Sequence, residues 1–144
     1  MAGVHDTGRL VAFREARLKQ AGENQMANAA LFVGWGQVVR GRETKAIQVF
    51  NDSQVYYARL QQEGKIESFE TVILQPHGGD LAGFVLLRGD RATLEGLTSS
   101  PEFQTLTVRA NMIAENVGVI SAAIGTELTE GIGRFLQTAT ELGA

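Results

Sequence analysis

The sequence predicts an α+β domain with the element order β-α-β-β-α-β and one further helix at the C-terminus. Three observations carry this. Segments with strand character alternate with segments of helical period in that order, the helices have explicit start and stop residues, and three strands are apolar on both faces. The chain has 144 residues, the size of one domain.

The elements follow in turn. Leu31–Val39, LFVGWGQVV, predicts a strand, being rich in β-branched and aromatic residues and too glycine-rich for a helix. Glu43–Glu63 predicts a helix. Ala46, Val49, Phe50, Ser53, Tyr57 and Leu60 recur at steps of three and four, while Lys45, Gln48, Asp52, Arg59 and Gln62 take the other side. Gly64 follows as a left-handed cap would. Ile66–Leu74 and Ala82–Arg88 are the second and third strands. Asp90 suits the N-cap of a short helix over Arg91–Leu97. Ser100 before Pro101 then places a capping hydroxyl ahead of a proline at the first helical position, and Phe103, Leu106, Ala110 and Ile113 form the seam of the second main helix. Val117–Ile124 is the fourth strand. A last helix spans about Glu127–Leu142, with Leu128, Ile132, Phe135, Ala139 and Leu142 inward and Gly143 as its stop.

This is the ferredoxin-like split βαβ order, in which right-handed crossovers put both main helices on one face of a four-stranded antiparallel sheet. The helix-free face then needs a cover as well. LFVGWGQVV, GFVLL and VGVISAAI are apolar on both sides, and neither the C-terminal helix nor the N-terminal segment is large enough to hide a sheet. A second copy of the sheet is expected to do so. The predicted assembly is a homodimer with an interface at or above roughly 1,600 Å². Val119 and Ser121 share one side of the fourth strand, Ile120 and Ala122 the other, and the sequence leaves open which side meets the partner.

Residues 1–29 differ from the rest. Arg9–Ala21 holds good helix formers but only a ragged stripe of Leu10, Val11, Phe13 and Leu18, and AGENQMANA after it is small and polar. The sequence therefore divides into an N-terminal extension, residues 1–29, and a globular domain, residues 30–144. Residues 1–29 carry four Lys/Arg against three Asp/Glu, which leaves nine against thirteen, a net of −4, for residues 30–144. That balance argues against nucleic-acid binding and against an anionic membrane surface. The longest apolar runs are far short of a membrane span, and the N-terminus has no apolar h-region of a secretory signal, so a cytoplasmic protein is expected. With no cysteine and only His5 and His77 as histidines, a metal site within one chain is not expected.

The element order, the apolar second face and GRET at the first helix start resemble the dimeric α+β barrel superfamily over about Leu31–Gly125. YARLQQEGKIESFE and PHGGDLAGFVLLRG are similar to a bacterial group within it, related in fold to antibiotic-biosynthesis monooxygenases. The resemblance implies two ferredoxin-like sheets facing each other. The superfamily holds cofactor-free monooxygenases, haem-degrading enzymes, isomerases and ligand-sensing domains, and a shared fold does not choose among them. Haem degradation there needs a helix-borne histidine, which 43–63 lacks, so no cofactor is expected.

Five residues are candidates for a ligand site. His77 lies in LQPHGGDL, where Pro76 stops pairing, Gly78 and Gly79 supply positive φ, and Asp80 is a usual turn residue, so it needs no function to be there. An imidazole at a barrel edge can also act as base or donor near neutral pH. Trp35 stands between Gly34 and Gly36, where missing side chains either admit a close neighbour or leave room for a ligand. Tyr57 falls on the buried stripe, where its hydroxyl must find a partner or line a cavity, while Tyr56 is expected at an edge. Glu70 and Ser121 are polar residues inside apolar strands. Glu70 faces either solvent or a closed barrel, where its pKa would rise.

The leading expectation is a homodimeric barrel protein binding a small, mostly apolar organic molecule. The alternatives are a cofactor-independent oxygenase acting on an aromatic substrate, with His77, Tyr57 or Trp35 orienting it, and a structural dimer filled by its own side chains.

Overall fold

In the computed structural model the described residues are 27–143. The helix expected over Arg9–Ala21 lies outside them. The elements are β1 (Ala29–Trp35), α1 (Glu43–Gln62), β2 (Ser68–Ile73), β3 (Gly83–Gly89), α2 (Arg91–Thr98), α3 (Pro101–Ile113), β4 (Gly118–Ala123) and α4 (Gly125–Glu141). The four strands form one antiparallel sheet in the order β2-β3-β1-β4, the ferredoxin-like topology the element order implies.

The start and stop residues act as their chemistry dictates. The Asp90 carboxylate accepts from Thr93 N–H at 3.1 Å to open α2, and Ser100 Oγ accepts from Phe103 N–H at 3.4 Å to open α3, with Pro101 in its first turn. Gly64 adopts φ +74° behind α1. GRET is a structural turn. Gly41 is left-handed at φ +87°, its N–H donates to Glu43 Oε1 at 3.1 Å, and the Arg42 guanidinium donates to Met112 O in the last turn of α3. The Glu43 carboxyl is held below its ordinary pKa by its own backbone N–H and by that of Gly41.

The strand register sorts the residues into faces. Ala29, Leu31, Val33 and Trp35 of β1 lie opposite Gly89, Leu87, Val85 and Gly83 of β3 and face the helices. Leu87 and Leu94 are fully buried there, with Leu60, Tyr56, Tyr57 and Phe103 around them. Phe32, Phe84, Leu86, Val72 and Ile120 take the helix-free face, where the Phe32 and Phe84 rings stack at 4.9 Å. The same register places Ile120 on the helix-free face and Val119 against the core, which decides the question the sequence left open.

Three expectations are corrected. The first strand begins at Ala29 and ends at Trp35, short of Val39, because Gly36 is pinned between two other segments of the chain. A Cβ there would lie 2.8 Å from Asp80 O and 2.9 Å from Glu115 O, and Gly36 N–H donates to Glu115 O at 2.7 Å. Tyr56 is not at an edge. It is buried between α1 and α3, its ring 6.4 Å from that of Phe103, with the Arg59 guanidinium 5.3 Å above its face. Burial raises its pKa.

The third correction is the largest. The stripe of the last helix does not face inward: Leu128, Ile132, Phe135, Leu136 and Leu142 are 48–80% exposed in the single subunit. Helical period shows that a face will be covered without saying by what. No helix among the described residues is long and apolar enough to cross a membrane.

Candidate functional site

The stripes of α1 and α3 converge on a space that they do not fill. Between them and the helix-facing side of the sheet is a cavity of about 390 Å³, within the range of roughly 300–1,000 Å³ for small-molecule sites. Ala46, Phe50, Ser53 and Tyr57 line it from α1 at helical spacing, and Phe103, Leu106, Ala110 and Ile113 line it from α3. Trp35 and Val85 form its floor. At its mouth stand Val38, Ile47 and Ile73, 36%, 62% and 64% exposed.

Trp35 is placed by two contacts. Its ring meets Phe50 edge-on at 6.1 Å. It also crosses β3 where a Cβ on Gly83 would sit 2.7 Å from Trp35 Cζ2, so only glycine lets the indole lie down there. Gly34 and Gly36 do not leave ligand room beside it. A Cβ at Gly34 would meet the Phe32 ring at 2.5 Å, and Gly36 is closed by the two carbonyls already described.

The cavity is almost entirely apolar, and its few hydroxyls are unequal. Ser53 Oγ donates to Phe50 O at 2.7 Å and Thr107 Oγ1 to Phe103 O at 3.0 Å, so both protons are spent on their own helices. The Tyr57 hydroxyl has no hydrogen-bond partner among the described residues. Burial pushes its pKa up to about 12, with the neighbouring Tyr56 adding to the shift. Tyr57 is therefore a neutral donor at physiological pH. No charged residue is among those lining the cavity.

That shift has a measurable consequence. The ordinary phenol titrates near 10, so folded Tyr57 keeps its proton to higher pH than the unfolded chain does. Stability from the buried neutral phenol is fully present below pH 10 and is lost as pH rises towards 12. Wild type should lose about 2–3 kcal/mol more than Tyr57→Phe over that window in denaturant titrations. Parallel loss in both proteins would contradict the assignment.

Of the five residues singled out in the sequence, the fold brings Trp35 and Tyr57 together and leaves the other three outside the cavity. Glu70 is on the helix-free face, paired with Arg88 Nη2 at 3.0 Å. Ser121 is exposed on the edge strand β4. His77 is bound within its own loop. Gly79 N–H donates to Nδ1 at 3.1 Å, which puts the ring proton on Nε2, and Nε2 donates to Leu81 O at 2.7 Å. Both nitrogens staple the turn around left-handed Gly78. His77→Asn should cost about 1 kcal/mol, the worth of such bonds in solvent, and should leave ligand affinity unchanged. A tenfold affinity loss by fluorescence titration would return His77 to the site.

Val38, Ile47, Ile73 and Thr107 complete the site and were not singled out. Nothing in the sequence marks them, because they come from four separate segments of the chain. The Arg91–Glu127 pair was also illegible. Arg91 Nη2 donates to Glu127 Oε1 at 2.7 Å and to Ala122 O at 2.7 Å, and its Nε donates to Glu127 Oε2 at 3.1 Å. The pair raises the Arg91 pKa and lowers that of Glu127, and it fixes the base of α4.

No known family profile matches the chain, and no curated protein matches it. Its fold does match solved structures. A dimeric ferredoxin-like protein of unknown function from Jannaschia sp. CCS1 superposes with a TM-score of 0.53 at 11% identity, covering 67% of this chain and 99% of that one. A DABB family protein with a ferredoxin-like fold from Mesorhizobium loti gives 0.53 at 12% identity, with 67% and 97% covered. A putative antibiotic biosynthesis monooxygenase from Bacteroides thetaiotaomicron gives 0.51 at 12%, with 69% and 91% covered. The fold is thus the one the sequence resemblance implied. It is shared by proteins of unlike description, so the chemistry must be argued from the site.

Proposed function

We propose that this protein is a homodimer whose subunits each bind a small, mostly apolar organic molecule carrying one neutral hydrogen-bond acceptor. The observation that carries the reading is the apolar cavity lined by the Tyr57 hydroxyl, which has no hydrogen-bond partner among the described residues, while the Ser53 and Thr107 hydroxyls are engaged on their own helices. A hydroxyl without a protein partner in an apolar lining is where a ligand carbonyl would gain a hydrogen bond. With no charge in the lining, a carboxylate ligand would lose its hydration without a counter-ion. Trp35 and Phe50 supply aromatic walls, which favour a flat ligand. The dimer reading is supported by the apolar helix-free face and by the dimeric neighbour of the same fold.

Trp35 is the single tryptophan of the chain and reports on the cavity directly. Titration with 2-acetylnaphthalene and 2-ethylnaphthalene, matched in shape but differing in the carbonyl, should quench it saturably. The ketone should bind about tenfold tighter, the effect of one hydrogen bond of about 1.4 kcal/mol. In Tyr57→Phe the preference should vanish while the ethyl compound binds as before. Absence of saturable quenching by either compound at millimolar concentration would sink the reading.

A further inference from the structure

We infer that α4 is an arm whose apolar stripe is covered by a second copy of the chain, so that the dimer is held by two contacts, sheet against sheet and arm against partner. This rests on the dimer reading above and goes beyond it, since that reading assigns no role to α4.

Among the described residues α4 and its C-cap carry five exposed large apolar side chains, more than any other element, against two each on α1 and α3. On the helix-free face Phe32, Val72, Phe84 and Leu86 are already half-buried, and Ile120 alone is largely exposed. On α4 and at its C-cap, Leu128, Ile132, Phe135, Leu136 and Leu142 recur at the spacing of one helix face, and each is about half exposed or more. The arm is nevertheless fixed at its base by Arg91, which holds Glu127 and the carbonyls of Ala30 and Ala122 together. A helix aimed by a clamp with its apolar face bare presents a built surface.

Area decides what covers it. Four strands of six or seven residues present roughly 400 Å² of projected surface, so two facing sheets bury about 800 Å², below the roughly 1,200–2,000 Å² of a stable pair. A 17-residue helix is roughly 25 Å long and 10 Å wide. Two arms, each burying its own face and an equal area of the partner, add about 1,000 Å² and bring the total into the stable range. α4 also follows β4 directly, so it starts from the edge strand that carries Ile120. Residues 1–26 are the competing occupant, since Ala27 enters beside Gly125 at the base of α4. Their ragged set of Leu10, Val11, Phe13 and Leu18 does not match a continuous stripe, whereas a second copy does.

The absence of cysteine makes the test clean. Full-length Ala139→Cys, carrying a benzophenone on its single thiol, would be mixed with isotopically heavy chain, equilibrated and irradiated. Crosslinks joining a light copy to a heavy one are expected. Ile132→Asp and Phe135→Ala should each weaken the dimer at least tenfold in sedimentation equilibrium, with subunit helix content retained. Crosslinks confined to one copy, on residues 1–26 above all, with the variants still fully dimeric, would overturn the arm while leaving the sheet dimer standing. A monomeric wild-type protein would remove the dimer reading and the arm with it.

Discussion

Ile120→Asp should convert the protein from dimer to monomer. Ile120 is 57% exposed in the single subunit and lies on the helix-free face beside Phe32, its partner across the β1–β4 ladder. In the proposed dimer the substitution places a carboxylate from each subunit in the apolar seam between the sheets. An uncompensated buried charge costs about 3–5 kcal/mol, so the dissociation constant should rise by a factor of at least about 10³. Val119→Asp is the companion. Val119 packs against the helix-side core, so its charge should unfold the subunit instead of merely separating the pair. Sedimentation velocity with circular dichroism tells the outcomes apart: a folded monomer for Ile120→Asp, lost structure for Val119→Asp. An Ile120→Asp protein still dimeric at micromolar concentration would mean that the faces do not meet there.

Gly36→Ala should be the most damaging single methyl on the chain. The added carbon would sit under 3 Å from two backbone carbonyls, Asp80 O and Glu115 O, neither of which can rotate away. Overpacking of this kind costs about 1–3 kcal/mol, and parting the two segments would also strain the bond from Gly36 N–H to Glu115 O. Both crossing segments flank Trp35, so the cavity mouth should loosen and Trp35 emission should shift to the red. Gly131→Ala makes the same chemical change with the opposite sign. It lies in α4 with nothing within 4 Å of the new carbon, so relief from glycine's conformational entropy should stabilise by about 0.5–1 kcal/mol. Thermal melts of the two variants should move in opposite directions. A neutral Gly36→Ala would mean that the crossing is less tight than its distances imply.

The architecture was legible because its signals are local. The Asp90 and Ser100 caps, Pro101, Gly64 and the three-and-four spacing along Glu43–Glu63 each act within a turn or two of the chain, and each element they imply is present. Part of the site was legible for the same reason. The α1 stripe holding Phe50, Ser53 and Tyr57 and the α3 seam from Phe103 to Ile113 are the cavity walls, and Tyr57 was marked as a buried hydroxyl in need of a partner.

What tertiary structure alone decided depends on groups distant in sequence. Whether Trp35 lines a cavity turns on Gly83, which admits its ring, and on Phe50 across from it. Whether His77 is free turns on a loop that folds back to occupy both its nitrogens. Each side of β4 carries a large apolar residue in sequence, and the ladder with β1 assigns Ile120 to one face and Val119 to the other. α4 shows the limit most plainly. Its periodicity marks one face for burial, but burial is a property of what lies opposite, and within the described subunit that face meets no cover. A local pattern records which side of an element avoids water; only the assembled chain, or a second copy of it, determines what replaces the water.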